Sequence, residues 1–107
     1  MDILPGFERE HGCTEADWLR DLPGAVGRHR LTLHGPGDAE VALESGGTLS
    51  LRWEPLPERR IALIRLPRMR VRYAFGEGVS ADVRATFMRL FDLHMRRGGA
   101  CAGRTGA

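Results

Sequence analysis

Three arginines, Arg68, Arg70 and Arg72, alternate with Met69, Val71 and Tyr73 in the stretch RMRVRYAF. In an extended chain this alternation sets three guanidinium groups on one face at intervals of about 6.6–7 Å, close to one phosphate per nucleotide. Arg52, Arg30 and His34 extend the row if their segments lie alongside. Guanidinium forks grip phosphate or carboxylate through two bonds at once, so the chemistry on offer is recognition of a nucleic acid or another anionic ligand. Two features weigh against it. Sheets that read single-stranded RNA carry aromatic rings on the same face as the charges, whereas Trp53, Tyr73 and Phe75 alternate onto the opposite face. Glu40, Glu44 and Glu54 also share the polar face, where cross-strand ion pairs contribute about 0.2–1 kcal/mol each. The reading favoured is therefore a solvated face of paired charges, with anion binding through Arg52, Arg68, Arg70 and Arg72 as the alternative.

Other reactive residue types are sparse. Cys13 follows His11 and precedes the helix-starting run TEAD, a setting that lowers a thiol pKa, but a small buried side chain anchoring the N-terminal arm explains it as well. His11 and Cys13 form one short ligand pair; Cys101, His94, His29 and His34 supply no second pair of the kind a structural zinc site needs. No metal and no cofactor is expected. Carboxylates are scattered on solvent positions, and Gly76-Glu77-Gly78 at a strand-to-helix corner reads as turn chemistry. We therefore name no catalytic residue.

The composition narrows the class further. All sixteen basic residues are arginine, which a GC-rich bacterial-type genome explains without selection for phosphate contacts. Net charge is +2, too small to imply a polyanion partner. The charge is split along the chain: residues 1–57 hold ten acids and five arginines, and residues 58–107 hold four acids and eleven arginines. Such asymmetry marks either a binding face or two halves that pack together. The opening MDILPGFEREHG lacks the pattern of a secretion signal and no apolar run approaches the ~20 residues that cross a bilayer, so a cytoplasmic protein with reduced thiols and no membrane contact is expected.

The elements that must hold these residues follow from periodicity. Thr14 caps a short helix with Trp18, Leu19 and Leu22 on its apolar side, closed by Pro23-Gly24. From Arg28 the period becomes two: RHRLTLHG, AEVALE and TLSLRWE read as an antiparallel meander with turns at GPGD and SGG. EPLPE reads as a loop, since Pro55 and Pro57 cannot donate to a ladder. RIALIRLP is apolar on both faces, the mark of a central strand covered twice, and RMRVRYAF follows Pro67. Ser80 then caps a helix whose stripe of Val83, Phe87, Leu90, Phe91 and His94 is suited to lie on a sheet. The residue order predicts an α+β fold in one domain over residues 1–99: a short N-terminal helix, an about five-stranded, mostly antiparallel sheet, and a C-terminal amphipathic helix packed across one sheet face. Residues 100–107 read as a disordered tail.

If the strand over residues 61–66 is central, something must cover its second face. Leu56, Ile64 and Leu66 are the expected contact for a protein partner or a homodimer, with cover by residues 3–26 of the same chain as the equal alternative, and burying Ile64 and Leu66 would contribute about 1.5–3 kcal/mol each. The function expected is a non-enzymatic protein-binding or accessory module.

Overall fold

A computed structural model describes residues 3–98 and 103–105. The chain runs β1 (Gly6–His11), α1 (Glu15–Val26), β2 (Arg30–Gly35), β3 (Asp38–Ala42), β4 (Thr48–Ile61), β5 (Ile64–Phe75), α2 (Ala81–Gly98) and the short β6 (Gly103–Thr105). All strands join one sheet in the order β2-β3-β4-β5-β1-β6, and every pairing is antiparallel. The fold is thus α+β, with α2 packed on the sheet, and the β2-β3-β4 meander has its turns where the glycine-rich segments place them. The turn before β4 needs its glycine. Gly47 has φ +87°, and a Cβ there would stand 2.6 Å from Val79 Cγ2.

The core lies between one sheet face and the two helices. Val41, Leu49, Leu51, Trp53, Met69, Val71, Tyr73 and Phe75 alternate inward along β3, β4 and β5, and Trp18, Leu22, Phe87, Met88, Phe91 and Met95 close over them. Trp18 sits at the aromatic centre, edge-on to Trp53 at 5.7 Å and tilted against Phe91 at 6.0 Å. The α1 N-terminus is tied down twice: Thr14 Oγ1 accepts from the Asp17 amide, and Glu15 accepts from the Trp53 indole at 2.7 Å. Where the helices cross, Gly24 lets the His94 ring approach so closely that a Cβ would fall 2.5 Å from it.

Several expectations are corrected. Residues 6–11, outside the elements that periodicity places, form β1 beside β5; its inward positions are Phe7, Arg9 and His11, and the two polar ones hide the alternation. Helix α1 continues through Pro23 to Val26, capped at Gly27, whose amide donates to the Gly24 carbonyl. EPLPE is no loop but lies inside β4, and Pro67 lies inside β5. Residues 61–66, expected as a central strand covered twice, are the tip of the β4–β5 hairpin, which turns at Ala62 (φ 54°) and Leu63. Ile61 and Leu63, which a doubly covered strand would bury, are consequently 54% and 101% exposed. Leu33, one of the alternating apolar residues of RHRLTLHG, is exposed. On α2 the inward stripe is Phe87, Met88, Phe91 and Met95, while Leu90 is 52% exposed. Of the tail expected to lack order, Gly103–Thr105 pairs with Arg9–His11; residues 99–102, 106 and 107 lie outside the described set. Cys13 is buried and disulfide-bonded, not a reduced thiol; Cys101 lies outside the described residues.

Candidate interaction surfaces

The arginine row assembles on the outer sheet face with carboxylates from both neighbouring strands. Arg68 bonds Glu10 at 2.6 Å, Arg70 bonds Glu54 at 2.9 Å with Glu8 at 3.8 Å, and Arg72 bonds Glu8 at 2.7 Å. The cause is register: β1 sets Glu8 opposite Arg72 and Glu10 opposite Arg70, while β4 sets Glu54 opposite Arg70. The Glu10 carboxylate raises the Arg68 pKa still further above its ordinary range. Arg52 differs from the other three. It stands between Asp38 and Arg72 in register, forms no ion pair among the described residues, and borders a shallow depression of about 300 Å³ with Gly37, Trp53, Arg70 and Arg72.

Beyond that row the sheet narrows to two strands. Pairing with β3 ends at Arg52, and pairing with β1 ends at Met69. From Leu56 through Arg68 the β4–β5 hairpin therefore runs on as an unaccompanied ribbon, about 20 Å long at 3.3 Å per residue. The molecule measures 46 × 29 × 22 Å. Pro55, Pro57 and Pro67 are tolerated because a ribbon has outward edges where a missing N–H breaks no ladder. The register slips by one residue between Leu56 and Arg59, the extra residue of a β-bulge. Past the bulge, Arg59 pairs with Leu66, Arg60 with Arg65 and Ile61 with Ile64.

Two-residue periodicity makes this arm amphipathic. Ile61, Ile64 and Leu66 share one face with Arg59, Arg60 and Arg65 take the other, and Leu63 crowns the turn. Ile64 is 59% exposed and Leu66 40%. Leu56, half-buried, lies at the base opposite Arg68. The structure thus brings Leu56, Ile64 and Leu66 onto one arm, with Arg68 at its base, and leaves Arg52, Arg70 and Arg72 on the sheet proper. Sequence reasoning missed Arg60 and Arg65, whose direct opposition is a destabilising like-charge pair. The run RRIALIR shows the charges, but only the bulge sets them face to face.

A second surface is a cleft of about 630 Å³ along α2, bounded by the end of α1 and residues 43–45. Its mouth includes an ion pair between Arg28 and Glu44 at 3.0 Å, and the Glu44 amide donates to His29 Nδ1 at 3.1 Å.

In the interior, Arg9 is ion-paired with Asp92 and lies over the rings of Phe7 and Tyr73, while the Tyr73 hydroxyl and His11 Nε2 share a 2.7 Å hydrogen bond. Burial pushes the Tyr73 pKa far above its ordinary value, Asp92 adds to the shift and Arg9 opposes it. These groups face the core and tie β1, β5 and α2 together. Among the described residues no three His, Cys, Asp or Glu side chains converge as a metal ion requires, and no helix is long and apolar enough to cross a membrane.

What fold and surface define is a small α+β protein with an apolar, arginine-bearing arm. No family model, curated protein or solved structure matches the chain.

Proposed function

We propose that the chain is a non-enzymatic binding protein that docks its β4–β5 arm into an apolar groove of a protein partner, the groove being rimmed by carboxylates. The observation that carries this reading is the arm tip: Ile61, Leu63, Ile64 and Leu66 are all solvent-facing within six residues. Leaving them in water forgoes about 25 cal/mol per Å² of apolar surface, and contiguous exposed apolar patches mark interaction sites. Charge supplies the second half of the partner's description. Arg59, Arg60 and Arg65 have no ion pair among the described residues, and a carboxylate between Arg60 and Arg65 relieves their repulsion.

The anionic-ligand reading rests on Arg52 and its depression. It is the weaker one, because Arg68, Arg70 and Arg72 already hold carboxylates that a phosphate would have to displace. For compartment, the disulfide-bonded Cys13 supports an oxidising environment over the cytoplasm expected from composition.

The test is a photo-crosslinking amino acid at position 63, used in the native host, followed by purification of the main adduct. The reading expects one dominant protein adduct. That protein, purified, should bind wild type and lose at least about tenfold affinity toward Ile64→Asp/Leu66→Asp and toward Arg60→Glu/Arg65→Glu. Dispersed adducts, or equal binding by these variants, would refute it. In parallel, short mixed-sequence RNA and DNA are titrated at low salt against isotope-labelled protein. Salt-suppressed amide shifts at residues 59–66 or at Arg52 and Arg68–Arg72 would replace the protein partner by a nucleic acid.

A further inference from the structure

We infer that the outer face of α2 is a seam for a second copy of this chain, the two helices running antiparallel. The argument starts from spacing. Val83, Thr86, Leu90, Leu93 and Arg97 recur at steps of three and four, the a and d positions of a heptad, and all five line the cleft beside α2. Apart from Val83, which also packs against the core, they are not the residues that hold α2 to the sheet, which are Phe87, Met88, Phe91 and Met95. A helix that needs one apolar face to join its own fold carries here a second one. Leu90 is 52% exposed and Leu93 39%, and the seam extends about 21 Å at 1.5 Å per residue.

The charges at its two ends select the occupant and its direction. Asp82 and Arg97 both line the cleft, and neither forms an ion pair among the described residues. A second α2 placed antiparallel, with its Leu90 against Leu90, brings Arg97 of each copy beside Val83 and within reach of Asp82 of the other. The methylene stem of Arg97 then covers Val83 while its head meets the carboxylate. Because both copies present the same face and Leu90 meets Leu90, the contact is isologous and closes as a two-fold dimer. A parallel pairing would set Arg97 against Arg97 and Asp82 against Asp82, so the same charges exclude it. Antiparallel helices also oppose their dipoles favourably.

The experiment is sedimentation velocity over about 1 μM to about 1 mM, the range of moderate to weak affinities. Wild type is expected to move from 11.9 kDa toward twice that mass, and Leu90→Asp to remain monomeric with its circular dichroism unchanged. Arg97→Glu and Asp82→Arg should each weaken association at least about tenfold, and the combined charge swap should restore it. Leu63→Ser/Ile64→Thr should dimerise as wild type does, which separates this seam from the arm. A monomer at every concentration, a Leu90→Asp dimer or a charge swap without rescue would overturn the inference.

Discussion

Tyr73 offers the sharpest test of the core. It is the only tyrosine, and the chain has no lysine, so a single phenol dominates titration in mild alkali. The ring is 1% exposed, stacked on Phe7 at 4.7 Å and edge-on to Phe91 at 5.9 Å. Its phenolate would lose its hydration among these rings, and burial therefore holds the pKa far above the ordinary value near 10. The sign follows from linkage. Above pH ~10 the unfolded chain releases the phenolic proton and the folded one keeps it, so the unfolded state binds fewer protons and stability falls as pH rises. The slope is about 1.4 kcal/mol per pH unit; below pH ~10 the tyrosine contributes none. Urea midpoints followed by tryptophan fluorescence should show this decline from about pH 10 upward. Absorbance at the phenolate band should stay flat in the folded protein and rise together with unfolding. Tyr73→Phe should abolish the alkaline slope, while loss of the 2.7 Å bond to His11 lowers stability near neutrality by about 0.5–1.5 kcal/mol. A phenolate that forms near pH 10 without unfolding, or a midpoint unmoved by alkali, would show that Tyr73 is not sealed in this core.

The arm and the core should separate energetically. Leu63 is fully exposed and Ile64 about two-fifths buried, so Leu63→Ser should change stability by under about 0.5 kcal/mol and Ile64→Thr by at most about 1 kcal/mol, whereas Phe91→Ala should cost about 3–5 kcal/mol; urea denaturation decides. Asp92→Ala removes the partner of Arg9, whose side chain is 11% exposed, and should cost about 1–3 kcal/mol, read as a drop in Tm. Amide exchange should be fast at residues 56–66, where a two-stranded ribbon is marginal by itself, and slow at residues 69–75; equal protection would mean that the arm is not separate.

What was legible in the sequence is what period two and glycine punctuation encode. Strands β2, β3 and the first half of β4 could be read because Leu31, Val41, Leu43, Leu49, Leu51 and Trp53 alternate cleanly with polar residues. Strand β1 could not, because its inward positions include Arg9 and His11, polar groups acceptable only once Asp92 and Tyr73 answer them from elsewhere in the chain. The hairpin tip was misread for a related reason. In RIALIRLP both faces are apolar, which in a sheet interior signals double cover, but a solvent-facing ribbon can carry the same pattern. Neither the turn at Ala62 nor the bulge after Leu56 carries a glycine or an asparagine to announce it. The arginine row was placed correctly on one face together with Glu54; its partners Glu8 and Glu10 were hidden in the unread β1. On α2 the stripe that faces the sheet is completed by Met88 and Met95 in place of Leu90 and His94. The helix carries apolar residues on both stripes, so periodicity alone does not choose.

The charge asymmetry between the two halves of the chain is largely consumed inside the fold. Glu8, Glu10 and Glu54 from the acidic half neutralise Arg68, Arg70 and Arg72 from the basic half across the sheet, and Arg84 donates to the Ile3 and Val79 carbonyls. Three of the arginines that form no ion pair among the described residues, Arg59, Arg60 and Arg65, stand together on the arm. A net charge of +2 therefore understates the local field there, because arginines pointing away from the body are answered by none of its carboxylates. Exposed charges within a Debye length of about 8–10 Å still act on one another and on an approaching partner. Association through the arm should therefore slow as salt rises, chiefly in its on-rate, while the apolar tip governs how long the complex lasts. An encounter rate insensitive to salt, paired with an intact dependence on Ile64 and Leu66, would leave the apolar contact standing and remove the acidic rim from the partner's description.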